Sequence, residues 1–164
     1  MTQSPTETYR VLFVCRHNSC RSQMAEGFAR WLKNNNSSSC VFASVESAAL
    51  EAVRDVVPGA VKVMNAIGVD ISAFRSKMIS QFCADDFDVV ISLCGCTAQV
   101  PDEWRIGKRF EDWNVADPTG LADEDFVLCR DEIVFRVKEL ETSLLEGRKP
   151  TYTLYNDSTS CAPR

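Results

Sequence analysis

A short apolar run rich in β-formers, Tyr9-Arg10-Val11-Leu12-Phe13-Val14, stops at Cys15; after the polar segment Arg16-His17-Asn18-Ser19-Cys20-Arg21 the chain turns helical from Ser22. Buried strand, tight loop and helix in direct succession commit the chain to an α/β fold. The pattern recurs. Residues 41–43, 87–93 and 109–113 read as further strands, the third of these runs the shortest but one and 87–93 the most apolar. Between them lie helical stretches. Met24, Ala25, Phe28 and Leu32 repeat at helical spacing, Pro58 opens a helix that turns Val61, Met64 and Ile67 inward, and Gly68 suits its C-terminus. A short helix is expected over 78–82. Phe126, Cys129, Ile133, Val137, Leu140 and Leu144 keep one stripe along a last, long helix. Strands alternating with helices predict a single α/β domain, a four-stranded parallel sheet with helices on both faces. Sites in such sheets lie beyond the carboxyl ends of the strands, which brings Cys15, Cys94 and Asp117 to one place.

The 164 residues suffice for one domain, read here as 1–147, with a C-terminal extension over 148–164. Thr151-Tyr152-Thr153-Leu154-Tyr155 alternates within that extension, but its Ser, Asn, Asp and Pro content favours disorder. A net charge of −5 and a pI near 4.9 argue against nucleic-acid binding, since phosphate backbones are gripped by basic surfaces. Residues 1–10 hold no apolar targeting core and no run reaches membrane-spanning length, so a soluble, cytoplasmic protein without membrane contact is expected. Eight cysteines are many for a reducing compartment, but they sit largely inside apolar runs and do not form a disulfide framework. Cys15, Cys94 and Cys96 stand apart.

The segment Arg16, His17, Asn18, Ser19, Cys20, Arg21 and Ser22 reads as an oxyanion-binding loop. Wrapped around a tetrahedral anion, it offers backbone N–H groups and a helix N-terminus, and Arg21 adds a bidentate charge. That field also favours a thiolate at Cys15. Cys-x5-Arg alone is a weak signal; the strand before it and the helix after it make it a strong one. Asn18 suits left-handed backbone in the loop, and the lone His17 has a loop-shaping role.

A nucleophile attacking an oxyanion needs a proton donor for the leaving oxygen. Asp117, held extended by Pro118, is the candidate. Cys94-Gly95-Cys96 decides the type of reaction. A hydrolase needs one cysteine, whereas a second and third at a neighbouring strand end suit a thiol relay: Cys94 attacks Cys15, expels a reduced product, and is resolved by Cys96. Gly95 allows the bend that such a close disulfide requires. With a single histidine, itself in the loop, no metal site is expected.

The run from Cys15 to Gly27, the Cys94 strand end and Asp117-Pro118 together resemble the arsenate reductases built on the low-molecular-weight tyrosine phosphatase fold, over residues 9–147. The Cys-x-Cys pair places the likeness with the cyanobacterial-type branch that uses glutathione and glutaredoxin, rather than with the thioredoxin-coupled branch. The resemblance implies reduction of arsenate to arsenite for arsenic detoxification, with phosphate or sulfate as analogues. Cys15 would attack, Arg21 and the loop amides bind the oxygens, Asp117 protonate the leaving hydroxide, and Cys94 and Cys96 carry the oxidising equivalents. No bound cofactor is implied, only an external thiol reductant, glutathione with glutaredoxin or else thioredoxin. Some relatives hold a potassium ion through an asparagine, a glutamate, a serine and an aspartate. Asn18, Glu26 and Ser44 match, while Lys77 stands at the aspartate position and would supply a tethered charge instead. Two alternatives stay open. One is a low-molecular-weight tyrosine phosphatase, against which Thr119-Gly120-Leu121 replaces the usual tyrosine pair after the Asp-Pro. The other is a non-catalytic thiol sensor of arsenite or redox state.

Overall fold

The computed structural model describes residues 7–36, 40–95 and 97–149. Cys96, the 151–155 alternation and Cys161 lie outside the described residues. The elements run β1 (Tyr9–Cys15), α1 (Arg21–Asn35), β2 (Phe42–Ala49), α2 (Pro58–Asn65), β3 (Val89–Ser92), β4 (Arg109–Asp112) and α3 (Asp123–Leu145). All pairings are parallel, and the sheet order is β2-β1-β3-β4.

Alternation along each strand divides the core in two. Val11, Phe13, Val89 and Ile91 face the three α-helices, where they meet Met24, Phe28, Met64, Ile133 and Val137. Leu12, Val14 and Val90 face the opposite side, covered by Phe87 and by turns of 3-10 helix that bring Ile79 and Trp104. Helices therefore cover both faces, α-helices on one and 3-10 turns on the other. Phe13, Met24 and Ile133 are wholly buried, each worth about 1.5–3 kcal/mol against an exposed side chain. The α3 stripe read from the sequence is the buried one.

Local departures have local causes. β2 extends to Ala49 rather than stopping at residue 43, since it pairs with β1 along its whole length; polar Glu46 and Ser47 hide its strand character. In α2, Pro58 occupies the first turn, and Ala60, Val63 and Met64 face inward. Val61 is only half-buried because it falls off the face that starts from Ala60, and Ile67 is exposed because α2 ends at Asn65, before it. The helix expected over 78–82 is a single 3-10 turn, Ile79–Gln81. Gly68 has φ +81° at the end of α2, where Val69 N–H reaches Met64 O at 3.0 Å.

Candidate active site

Strand β1 delivers Cys15 to the carboxyl edge of the sheet, and residues 16–20 curl back into the first turn of α1. What shapes this loop is the chain after β2. Leu50, Glu51, Arg54 and Val57 donate backbone N–H groups to the carbonyls of Cys15, Arg16, His17 and Ser19 at 3.0, 3.0, 3.2 and 2.9 Å. A trans peptide points its C=O and the next N–H in opposite directions. With the carbonyls turned outward, the N–H groups of Arg16, His17, Asn18 and Cys20 are turned inward, as an oxyanion needs. His17 Nδ1 lies 3.1 Å from Ala52 O, a contact between the loop and the chain after β2.

Asn18 is the buried hub beneath the loop, with φ +51°. Its amide orientation is settled by Lys77, whose backbone N–H must donate and lies 2.9 Å from Oδ1. Nδ2 therefore donates to Ser22 Oγ at 2.7 Å and Ser47 Oγ at 2.8 Å. Ser22 Oγ already accepts this hydrogen, so its own proton is available to Cys15 Sγ, 2.8 Å away. Ser47 in turn donates to Glu26 Oε1 at 3.2 Å. Gln23 adds bonds from Nε2 to Asn18 O at 3.0 Å and Arg75 O at 3.1 Å. The Cys15 sulfur thus ends a chain of hydrogen bonds that begins at Lys77.

Lys77 also closes that network with charge. Its Nζ sits 2.9 Å from both Glu26 Oε1 and Glu46 Oε2. The serine in this cluster is Ser47, not Ser44. The two lie on opposite faces of β2, and only Ser47 points toward Glu26. An ammonium already sits between the carboxylates, so the donor set does not fit a metal ion. Among the described residues no group of histidine, cysteine and carboxylate side chains could hold one.

Arg21 ties three strand-end segments together. Its Nη1 donates to Val115 O at 2.8 Å and, at 3.4 Å, to Leu93 O, while Nη2 lies 3.5 Å from Asp117 Oδ2. Burial pushes the Asp117 carboxyl upward, but hydrogen bonds from Thr119 and the charges of Arg21 and His17 outweigh it and hold Asp117 below the usual range. Half-buried Cys94 follows Leu93, whose N–H bonds Val14 O at 2.9 Å, so it stands at the strand end beside Cys15. Its segment is clamped by Asp112, which accepts from Gly95 N–H at 3.0 Å and Thr97 Oγ1 at 2.7 Å. Gly95 has φ +69°, and a Cβ there would meet Asn114 Oδ1 at 2.3 Å.

Two further thiols are buried, Cys20 within the loop and Cys129 on α3. Burial pushes Cys129 up to about 12 and Cys20 higher still, so both stay protonated. Asp112, Gln23, Ser47 and Glu46 escaped sequence reading, being polar residues on apolar elements with no motif of their own. The strand-end position of Asp112, like that of Asp117, is the one signal available for it.

A model of the low molecular weight phosphotyrosine protein phosphatase family matches residues 10–149. The chain is 47% identical over 131 residues to a glutaredoxin arsenate reductase of Synechocystis sp., covering 80% of this chain and 95% of that one. It is 37% identical over 134 residues to an arsenate reductase of Halalkalibacterium halodurans, covering 78% and 91%. A solved arsenate reductase in the phosphate binding state superposes with a TM-score of 0.72 at 46% identity, over 82% of this chain and 98% of that one. The chain belongs to the low molecular weight phosphotyrosine protein phosphatase family, on the side of it occupied by arsenate reductases.

Proposed function

We propose that this protein reduces arsenate to arsenite, with Cys15 as nucleophile and electrons drawn from glutathione and glutaredoxin. The observation that carries the reading is the reach of Arg21 to Leu93 O and Val115 O, which gathers the second thiol and the acid around the oxyanion loop.

Arsenate enters the loop, its oxygens facing the inward N–H groups and the Arg21 guanidinium. Cys15 Sγ bonds to arsenic and one arsenate oxygen leaves as water, protonated by Asp117. Asp117 is ionised in the resting protein, and the neighbouring negative charge of a bound oxyanion favours its taking a proton carried in by the substrate. Cys94 then attacks Cys15 Sγ. The sulfur–arsenic bond breaks, its electron pair stays on arsenic, and arsenite departs while two thiols become the Cys15–Cys94 disulfide. Cys96 attacks Cys94, frees Cys15, and leaves a Cys94–Cys96 disulfide for the external thiols to reduce. Ser22, oriented by Asn18, hydrogen-bonds the Cys15 sulfur whenever Cys15 is a leaving or attacking thiolate. The absence of aromatic residues at Thr119-Gly120-Leu121 suits a small inorganic oxyanion better than an aryl phosphate.

The test is arsenate-dependent NADPH oxidation coupled through glutathione reductase, with glutaredoxin or thioredoxin supplied, beside hydrolysis of a phenyl phosphate. Cys15→Ser should abolish both activities and Cys94→Ser only the reduction. Full arsenate reduction by Cys94→Ser would overturn the relay; hydrolysis without reduction in the parent protein would make it a phosphatase.

A further inference from the structure

A cavity of about 250 Å3 opens beside the oxyanion loop, between the 53–56 segment and residues 74–76. Its lining holds Arg54, Arg75 and Asp55 together with the apolar Val53 and Phe74. These two arginines are unlike the rest. Every other arginine among the described residues has a carboxylate oxygen at 3.5 Å or closer, in a chain rich enough in acid to supply them all. Arg54 and Arg75 have none among the described residues, although Asp55 lines the same cavity. Two arginines with no carboxylate partner among the described residues, lining one concavity of a chain with net charge −5, mark a place for carboxylates that come from outside.

The cavity wall is bound to the catalytic loop at several points. Arg54 N–H donates to His17 O at 3.2 Å. Ser76 Oγ shares its one proton between Asn18 O, 2.6 Å away, and Arg54 O, joining the two walls to each other and to the loop. Gln23 Nε2 holds Arg75 O at 3.1 Å. A ligand seated here is therefore held at a fixed position relative to Cys15, on backbone that the loop itself braces.

We infer that this cavity is the binding site for glutathione, through Arg54 and Arg75 on its two carboxylates and Asp55 on its ammonium group. The inference rests on the proposal that the protein uses glutathione. The charge pattern is what selects the ligand: a tripeptide with two carboxylates, one ammonium and an intervening uncharged stem meets two guanidiniums, one carboxylate and an apolar patch. Inorganic oxyanions carry no ammonium for Asp55 and no stem for Val53 and Phe74. Ordinary thiol reductants without carboxylates leave both arginines unmatched.

The experiment is titration of S-methylglutathione, which cannot react, into the full-length reduced protein, followed by calorimetry and by backbone amide shifts. Saturable binding that shifts residues 53–56 and 74–76 is expected. Each exposed carboxylate–guanidinium contact is worth up to about fivefold in affinity, so the Arg54→Ala/Arg75→Ala protein should bind more weakly by up to about 25-fold. The double Lys variant should recover part of the loss, since it keeps charge without the bidentate fork. The dimethyl ester of the same ligand should lose binding to the unaltered protein, which tests the site without any substitution. In turnover, the Ala variant should raise the KM for glutathione while the KM for arsenate stays put. Absence of saturable binding to the parent protein, equal affinity in the Ala variant, undiminished binding of the ester, or an effect confined to the KM for glutaredoxin would each overturn the assignment. Binding without any arsenate reduction would leave the cavity standing and overturn the proposed reaction instead.

Discussion

Replacing Lys77 by methionine tests the network under the loop. The side chain of Glu26 is 3% exposed, and its carboxylate has Lys77 Nζ at 2.9 Å and Arg30 Nε at 3.8 Å. Methionine keeps much of the volume and removes the charge, so Glu26 is left buried with the Ser47 hydroxyl and one long, poorly placed cation, Arg30. Breaking a fully buried pair costs about 3–5 kcal/mol. Lys77 is 25% exposed, which admits some water and brings the expected loss to about 2–3 kcal/mol. For a chain of this length each kcal/mol moves the melting temperature by about 2–4 °C, so calorimetry should show a fall of about 5–10 °C. The double variant Lys77→Met/Glu26→Gln no longer buries an uncompensated charge and should regain more than half of that loss, a coupling read directly from the cycle. In the parent protein, replacing sodium by potassium should leave arsenate reduction unchanged, because the ammonium already holds the two carboxylates. A Lys77→Met protein that melts within about 2 °C of the parent, or a double variant no more stable than Lys77→Met, would show that the network is not held by this charge. A clear rise in activity with potassium in the parent would show that Lys77 does not stand in for an ion.

Gly95→Ala places a Cβ 2.3 Å from Asn114 Oδ1 at φ +69°. It should cost about 1–3 kcal/mol in urea unfolding and slow arsenate reduction, and Asn114→Gly should relieve the clash but not the backbone strain. Asp88 is held below the usual carboxylate range, chiefly by its hydrogen bonds with the Arg10 guanidinium. A carboxylate with a lowered folded pKa stabilises above its unfolded value and loses that contribution as pH falls through the folded one. Asp88→Asn should thus cost up to about 1 kcal/mol at neutral pH, this pair being partly exposed, and nothing once acid has protonated the parent; an equal cost at both pH values would refute the linkage. Alkylation by N-ethylmaleimide followed by mass spectrometry should modify exposed Cys83 quickly and spare Cys20 and Cys129, which burial keeps as thiols.

The parts of this fold that show in its sequence are those where apolar periodicity is undiluted. β1, α1 and α3 carry it, and the structure buries Met24, Phe28, Ile133 and Val137 accordingly. β2 was legible only at its start, since Glu46 and Ser47 are polar for the sake of Lys77 and Asn18, partners that become neighbours only after folding. Cys15, Arg21 and Asp117 could be placed because strand ends in a parallel sheet converge. The residues that orient them could not: Ser22 reaches Cys15 through Asn18, and Asp112 clamps the Cys94 segment through contacts 15 and 17 residues apart. Such roles depend on where a side chain ends, which no local pattern records.

The segment from Leu50 to Val57 is mostly exposed and belongs to no helix or strand before α2, yet four of its amides are bonded into the oxyanion loop. Because the loop is ordered during folding, little of that entropy is left to lose when substrate arrives. It also makes a surface stretch part of the same cooperative unit as Cys15. In hydrogen exchange, the amides of Leu50, Glu51, Arg54 and Val57 should outlast those around them, opening only when the anion trap itself comes apart.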